Sequence, residues 1–452
     1  MFKTLKLISP IILTLFLLLG CETKKETKPE NEVLKEKPKA TIVDVEKGIH
    51  DYITHKTESE GGYFTIEDDT LNLKLRLVRV HTEYLSVLKK GKYFACVDLA
   101  DTSGDVFDVD FFLEGTPEKM EVTSTTVHKL NGKPYYTWKQ DKKDKSWSKV
   151  PTKGASNELL GVIEGKDQFE FKYSALLPKI EGSAKLWIPI AQTDRFQSVN
   201  IIKVTAPVEM KTLKELKFGN TIGYFELNTE NSNDKIEVLY DIERIEKGPY
   251  LDKEPKQTNL LGSPLLPTGG RFQEIVTEVL SGKESDNNLV KARALYDYVI
   301  ETVKYAKQGK YGTGDANFAC DSKSGNCTEF HSLFISLAKT AKIPARFAIG
   351  AAIPSSRNEG GVDGYHCWAE FYAEGKWWPI DISEANKYTA LATYYFGHHP
   401  ANRIELSRGR DLEVNPSPLS GKIPFFAYPI LEVNGTEYPV KTKFTYLRKL
   451  GV

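Results

Sequence analysis

The sequence predicts an α+β protein of several domains, in which two antiparallel β domains precede a mixed domain of helices and strands. Three observations support this prediction. The chain has 452 residues, whereas a single hydrophobic core rarely grows beyond about 250 residues. Apolar and polar residues alternate in many short segments of the first half of the chain, as they do in half-buried strands. Helical periodicity begins only near residue 270.

The charge balance argues against nucleic acid as a partner. Lys and Arg total 61, and Asp and Glu also total 61, so the formal net charge is zero. A phosphate-binding surface needs a clustered excess of positive charge. The five cysteines are too few for a disulfide-stapled scaffold and show no repeated C-x-x-C spacing of a zinc or iron–sulfur site. We therefore expect no nucleic acid, no metal and no cofactor; the oligomeric state stays open.

Residues 1–20 predict an export signal. Two lysines precede an apolar run that is short for a membrane-spanning helix, which needs about 20 residues. The segment ends in Leu-Leu-Gly before Cys21, which resembles the lipobox of bacterial lipoproteins. The resemblance implies that the thiol of Cys21 receives a diacylglyceryl group and that Cys21 becomes the new N-terminus. A retained membrane helix and a simple signal peptide are the alternatives.

Residues 21–40 predict a flexible tether, because the segment is almost free of apolar side chains and cannot bury enough surface to become ordered. A tether behind a lipidated cysteine holds the following domains away from a membrane. We therefore expect a lipid-anchored protein of the bacterial cell envelope, on its periplasmic or cell-surface face.

Residues 41–155 predict the first β domain. Leucines alternate with polar residues from position 71 to 77, which is the pattern of a strand with one buried face. Asn131 and Gly132 lie between two strand-like segments and predict a tight hairpin turn. The acidic residues Asp105 and Asp108, with Asp110, suggest calcium as one reading, but we favour a solvated strand face because the loop lacks the features of an EF-hand.

Residues 156–260 predict a second β domain, a sandwich, because short strand-like segments recur with turn residues between them. Residues 261–452 predict the mixed domain, which ends in a β extension. Its clearest helix covers 289–306, where apolar residues describe one helical face.

Cys327 is the first candidate for a chemical role. It opens a segment with apolar residues at helical spacing, so we expect it at a helix N-terminus. Unpaired N–H groups and the positive end of the helix dipole stabilise a thiolate there and lower the pKa of the thiol. Cys320, seven residues earlier, is expected in a loop as a free thiol; a disulfide with Cys327 is the alternative. His331 has a spacing from Cys327 that suits metal chelation, but we expect no metal there.

His366 and Asp381 complete the constellation. The strand that begins near His366 alternates its side chains, so Cys367 should point to the opposite face and serve only in packing. A short turn follows, and the next strand carries Asp381. A carboxylate beside an imidazole holds it in one tautomer and stabilises its charged form.

These motifs resemble the transglutaminase-like superfamily, whose core is a papain-like cysteine fold. The matching segments are 325–350, 364–372 and 376–382, and the wider resemblance covers roughly 165–415. Residues 41–160 lie outside it.

The resemblance implies that Cys327 is the nucleophile, His366 the general base and acid, and Asp381 the orienting carboxylate. It also implies cysteine acyl transfer on a peptide or glutamine amide bond, through a thioester. Water as the acceptor makes a peptidase or amidase, which we favour; a lysine amine makes a cross-linking transglutaminase. The expected partners are a peptide or protein substrate and, through the lipid on Cys21, a membrane. A non-catalytic peptide-binding envelope protein is the alternative from a different class.

Overall fold

The computed structural model describes residues 40–67, 72–89, 91–142, 147–152, 161–283 and 287–449. The predicted signal lies outside these ranges, as do Cys21 and all of the predicted tether except Ala40, so those predictions stay predictions. Within the described ranges, no helix is both long enough and apolar enough to cross a membrane.

The first region is an antiparallel sheet with one helix on it, which confirms a mostly antiparallel β domain. The helix was not predicted. Apolar residues at a spacing of four, Val45, Ile49 and Ile53, bury its inner face, and a capping box between Thr41 and Asp44 begins it. The elements are α1 (Ile42–Ser59), β1 (Phe64–Glu67), β2 (Asn72–Lys89), β3 (Lys92–Ala100), β4 (Val106–Thr116), β5 (Lys119–Leu130) and β6 (Lys133–Pro134), with the strands paired in that order.

The predicted hairpin turn at Asn131 and Gly132 is confirmed, since Leu130 pairs with Lys133 across it. Both turn residues have positive φ, 49° and 82°, as this tight turn requires.

The expectation of a solvated acidic face on β4 is wrong, because Asp108 is 6% exposed and Asp110 is fully buried. A separate hairpin covers this face. Tyr136 Oη and Trp138 Nε1 donate hydrogen bonds to Asp110 Oδ2 at 3.0 and 2.8 Å. The hairpin consists of β7 (Tyr136–Gln140) and β8 (Trp147–Pro151).

The second region is a sandwich of two five-stranded sheets, built from two separate stretches of chain. Its earlier strands are β9 (Lys166–Leu176), β10 (Ala184–Ile190), β11 (Gln197–Thr205), β12 (Lys211–Lys214), β13 (Thr221–Leu227) and β14 (Lys235–Ile245).

The remaining helices and strands follow β14 along the chain. They are α2 (Arg271–Val279), α3 (Asn288–Thr302), β15 (Lys304–Tyr305), α4 (Ala316–Ser322), β16 (Ser324–Gly325), α5 (Cys327–Thr340), β17 (Ala345–Ala352), β18 (Glu359–Val362), β19 (His366–Ala373), β20 (Lys376–Ile380), α6 (Ile382–Lys387), β21 (Arg403–Arg408), β22 (Ile430–Val433), β23 (Thr436–Tyr438) and β24 (Lys441–Arg448).

The last strands return to the sandwich. One sheet has the order β12-β13-β10-β22-β23 and the other β11-β14-β9-β24-β18. We expected the C-terminal strands as an extension of the mixed domain; they instead complete both sheets of the sandwich. The predicted domain boundaries stay predictions.

A four-stranded antiparallel sheet of order β20-β19-β17-β21 forms the centre of the mixed region, and the wholly buried helix α5 packs against it. In its register Ala369 pairs with Ile380, so Asp381 follows β20 at the edge where β19 begins. The topology therefore brings the start of α5, the start of β19 and the end of β20 together.

A buried ion cluster fixes β19 to the segment that leaves the sandwich. Glu370, 4% exposed, accepts hydrogen bonds from Lys247 Nζ at 2.9 Å and Arg346 Nε at 2.6 Å, and Tyr250 Oη also donates to it. Burial raises the pKa of Glu370, but the charges of Lys247 and Arg346 outweigh this effect and hold the pKa well below its usual range. The cluster therefore depends on an ionised carboxylate.

Replacing Glu370 by Gln should lower the free energy of unfolding by about 3 to 5 kcal/mol at neutral pH, because two buried cations lose their counter-charge. The pKa of Glu370 is lower in the folded than in the unfolded chain, so its contribution is present above about pH 4 and is lost as pH falls. Urea unfolding across this pH range should therefore show a weaker acid dependence for Glu370→Gln. The exposed Glu359→Gln is the control, and equal stability of the two variants would contradict the prediction.

Candidate active site

Cys327 is the first residue of α5, which confirms its predicted position at a helix start. Asn326 caps the helix, with its Oδ1 accepting a hydrogen bond from the N–H of Thr328 at 2.9 Å. The first N–H groups of a helix have no partner within it, and the dipole adds positive potential there. The thiol therefore lies where a negative charge on sulfur, and then on an oxyanion, is stabilised.

Glu329 fixes the helix start to the preceding loop, and we did not predict this role from the sequence. Its Oε2 accepts from the N–H groups of Asn326 and Gly312, both at 3.0 Å, and its Oε1 accepts from that of Gly314 at 2.8 Å. Gly312 and Gly314 have positive φ. The signal was present, since Asn326 and Glu329 have the spacing of a capping box.

His366 and Asp381 form a short hydrogen bond, with 2.6 Å between Nε2 and Oδ2. The other carboxylate oxygen of Asp381 accepts from Ser383 Oγ at 3.1 Å and from the N–H of Glu384 at 3.2 Å. With Nε2 bonded to the carboxylate, Nδ1 of His366 is left for the hydrogen bond with the Cys327 thiol. The structure thus brings the three predicted residues together in the expected order.

The pKa of Cys327 is lowered and the pKa of His366 is raised, which is the order that a nucleophilic thiolate requires. Burial raises the pKa of Cys327, but hydrogen bonds from Cys367 and His366 and the charge of His366 lower it to about 6. Burial lowers the pKa of His366, but Asp381 and Cys327 raise it to about 9. Between these values the site holds a thiolate beside an imidazolium.

Cys367 packs in the core as expected, but it also contacts residues of the site. Its thiol hydrogen-bonds that of Cys327 and lies 3.6 Å from Nδ1 of His331. The reason is the helix: Cys367 and Phe371 share the sheet face on which α5 packs, and α5 begins with Cys327. Alternation along the strand could not show which residue of α5 would meet Cys367.

His331 is neutral and connects Cys327 at the start of α5 to Ile382, the residue after Asp381. Its Nε2 accepts from the N–H of Ile382 at 3.0 Å, so the proton is on Nδ1, which donates to the carbonyl of Cys327 at 2.7 Å. Burial lowers the pKa of His331 to about 4. From the sequence we weighed His331 only as a metal ligand and expected no metal. In the structure it joins the first turn of α5 to the residue after Asp381.

Two tyrosines lie beside the start of α5. Cys327 is 2% exposed. Tyr365 accepts a hydrogen bond from Asn326 Nδ2 at 3.0 Å, and its ring lies 5.4 Å from that of Tyr428 between centroids. Cys320 is a free, buried thiol as expected, but it lies within α4 rather than in a loop.

The site lies in a segment that is similar to a known family. Residues 273–382, which include Cys327, His366 and Asp381, match the transglutaminase-like superfamily. An uncharacterized protein of Haemophilus influenzae is 26% identical over 337 residues, covering 62% of this chain and 90% of that protein.

Solved structures show more distant likenesses. A provisionally assigned cysteine protease from Cytophaga hutchinsonii aligns with 63% of this chain and 100% of its own, at 15% identity and a TM-score of 0.41. The periplasmic domain of TgpA from Pseudomonas aeruginosa aligns with 53% of this chain and 99% of its own, at 13% identity and a TM-score of 0.28. Residues 273–382 are therefore the part of the chain that is similar to the transglutaminase-like superfamily.

Proposed function

We propose that the protein is a cysteine hydrolase of the bacterial cell envelope that cleaves peptide or glutamine amide bonds through a thioester on Cys327. The observation that carries this proposal is the hydrogen-bonded series from Asp381 through His366 to Cys327 at the start of α5. A nucleophile, a proton carrier and an orienting carboxylate are thus within reach of one another.

Acylation begins with attack of the Cys327 thiolate on the amide carbonyl. The tetrahedral oxyanion forms beside the N–H groups at the start of α5, which stabilise its charge. His366 then gives its proton to the leaving amine or ammonia, the C–N bond breaks, and a thioester remains.

Deacylation needs an acceptor, and the acceptor determines the class of enzyme. His366, now neutral, takes a proton from a water molecule, which attacks the thioester and releases a carboxylic acid and the thiolate. A lysine amine in place of water yields an isopeptide bond and defines a cross-linking transglutaminase. Water is the acceptor we propose, because it is present at high concentration outside the cytoplasm.

A peptide-binding protein without catalytic activity is the competing function. Binding alone does not require a cysteine of lowered pKa beside a histidine of raised pKa, since neither shift contributes to holding a peptide. The separated pKa values therefore favour catalysis.

Loss of the triad residues should remove activity non-additively. Cys327→Ala and His366→Ala should each lower turnover on the order of a millionfold, whereas Asp381→Asn should cost about ten-thousandfold because the base survives. Envelope peptides are incubated with each variant, and mass spectrometry follows the products. Ammonia release indicates an amidase, new termini a peptidase, and amine adducts a transglutaminase.

Cys320→Ala is the matched control for these variants, because this cysteine is equally buried but lies in α4. It should keep full turnover. Unchanged products and rates in Cys327→Ala would assign the activity to another site and favour the binding function.

The alkylation rate of Cys327 by iodoacetamide should rise with pH around a midpoint of about 6, where its thiolate forms. Cys367→Ala should move this midpoint upward, because it removes a hydrogen bond that stabilises the thiolate. Peptide mass spectrometry locates the label. A midpoint near the free-thiol value of about 8.5 in the unaltered protein would refute the activated nucleophile.

Anchoring is proposed through a diacylglyceryl group on Cys21. Cys21→Ser should move the protein from the membrane pellet to the soluble fraction, because the variant lacks the thiol that carries the proposed lipid. Fractionation with the mass of the mature chain measures this. Continued pelleting after removal of residues 1–20 would indicate a protein partner instead of a lipid.

A further inference from the structure

The N-terminal sheet buries a cluster of metal-ligating side chains on the face opposite α1. Cys96 on β3 pairs directly with Asp110 on β4, and Asp98 pairs with Asp108. His128 on β5 lies beside them. Cys96 is 7% exposed, Asp108 6% and Asp110 fully buried. This cluster takes no part in the chemistry of Cys327.

Three of the separations between donor atoms of the cluster are shorter than 4 Å. His128 Nδ1 lies 3.4 Å from Asp110 Oδ1 and 3.9 Å from Asp108 Oδ1, and Cys96 Sγ lies 3.5 Å from Asp110 Oδ1. One ligand atom each from Cys96, Asp108 and Asp110 lies within 4.8 Å of the others.

Two of these separations match those of a tetrahedral zinc site. Zinc binds nitrogen and oxygen at about 2.0–2.2 Å and sulfur at about 2.3 Å. In a tetrahedron the donors are separated by about 1.6 bond lengths, so they lie roughly 3.3 to 3.8 Å apart. The separations of His128 Nδ1 and Cys96 Sγ from Asp110 Oδ1 lie in this range, whereas the other donors move closer together when the metal binds.

The orientation of His128 suits a metal ligand. Its Nε2–H donates to the carbonyl of Tyr136 at 2.9 Å, and its Nδ1 faces the carboxylates of Asp108 and Asp110. Metal-ligating histidines are held in this way, with the second ring nitrogen bonded to a carbonyl. His128 Nδ1 and Asp108 Oδ1 are both buried and have no hydrogen-bond partner among the described residues.

The outer oxygens of the two carboxylates are already occupied. Asp108 Oδ2 accepts from Lys129 Nζ at 2.8 Å, and Asp110 Oδ2 accepts from Tyr136 and Trp138. Each Oδ1 is thereby oriented inward. Two carboxylates and a thiolate carry three negative charges, which a divalent cation and Lys129 neutralise.

We propose that Cys96, Asp108, Asp110 and His128 form a structural zinc site that stabilises the N-terminal sheet. Binding replaces the thiol proton of Cys96 with the metal and releases that proton to solvent. Because the protein supplies all four donors, the site has no open position for a substrate and serves stability. The inference is independent of the proposed hydrolase activity.

The test uses the whole chain carrying Cys327→Ala, so that the reactive thiolate cannot bind the probe metal. The protein is treated with a chelator, incubated with Zn²⁺ or Co²⁺ and freed of excess metal. We expect one zinc per chain by elemental analysis, a thiolate-to-cobalt charge-transfer band, and a higher melting temperature with Zn²⁺.

Two variants assign the ligands, each in the same background. Cys96→Ser should abolish the charge-transfer band and His128→Gln should weaken zinc binding at least tenfold. Cys320→Ser is the matched control and should change neither. The proposal is overturned if the protein binds no zinc, if zinc leaves the melting temperature unchanged, or if both variants retain the metal. If Cys96→Ser fails to fold, two measurements still decide the question. They are the charge-transfer band of the chain that carries only Cys327→Ala, and the loss of this band in His128→Gln.

Discussion

The carboxylate of Asp381 is the interaction on which the site depends, because it is fully buried and both of its oxygens are bonded. One oxygen holds His366 and the other the start of α6. A buried negative charge of this kind favours the charged form of the imidazole, and the charged imidazole in turn favours the thiolate. The charge of Asp381 therefore acts on Cys327 through His366.

Two histidines near that carboxylate have opposite charge states, and their partners explain the difference. His366 bonds to the carboxylate itself and its pKa rises. The short hydrogen bonds of His331 go to backbone groups of Cys327 and Ile382, and its pKa falls. The ring of His366 is thus available to carry a proton, whereas the ring of His331 stays neutral and holds two backbone segments together. Similar burial produces different roles because the hydrogen-bond partners differ.

Local patterns in the sequence predicted the features that depend on local physics. The helix start at Cys327, the strand at His366 and the turn at Asn131 each follow from a few neighbouring residues. Long-range packing decided the rest. The burial of Asp110 requires a hairpin further along the chain, and the contact of Cys367 with Cys327 requires α5 to lie on that face of β19. The capping box at Thr41 was a sequence signal for helix α1. We did not predict this helix, because the strong alternation that follows it indicated strands.

The last strands of the chain have a consequence for how the protein folds. β9 is the middle strand of its sheet and pairs with β14 on one side and β24 on the other. Phe171 of β9 therefore pairs with Tyr446, a residue near the other end of the described chain. Residues of β17 and β21 also enter the sandwich core, among them Ala351 and Ile404. Pairing over such sequence distances is slow to form. The sheet that carries His366 therefore gains its full support only after β22, β23 and β24 have joined the sandwich, so a stable site requires an assembled sandwich.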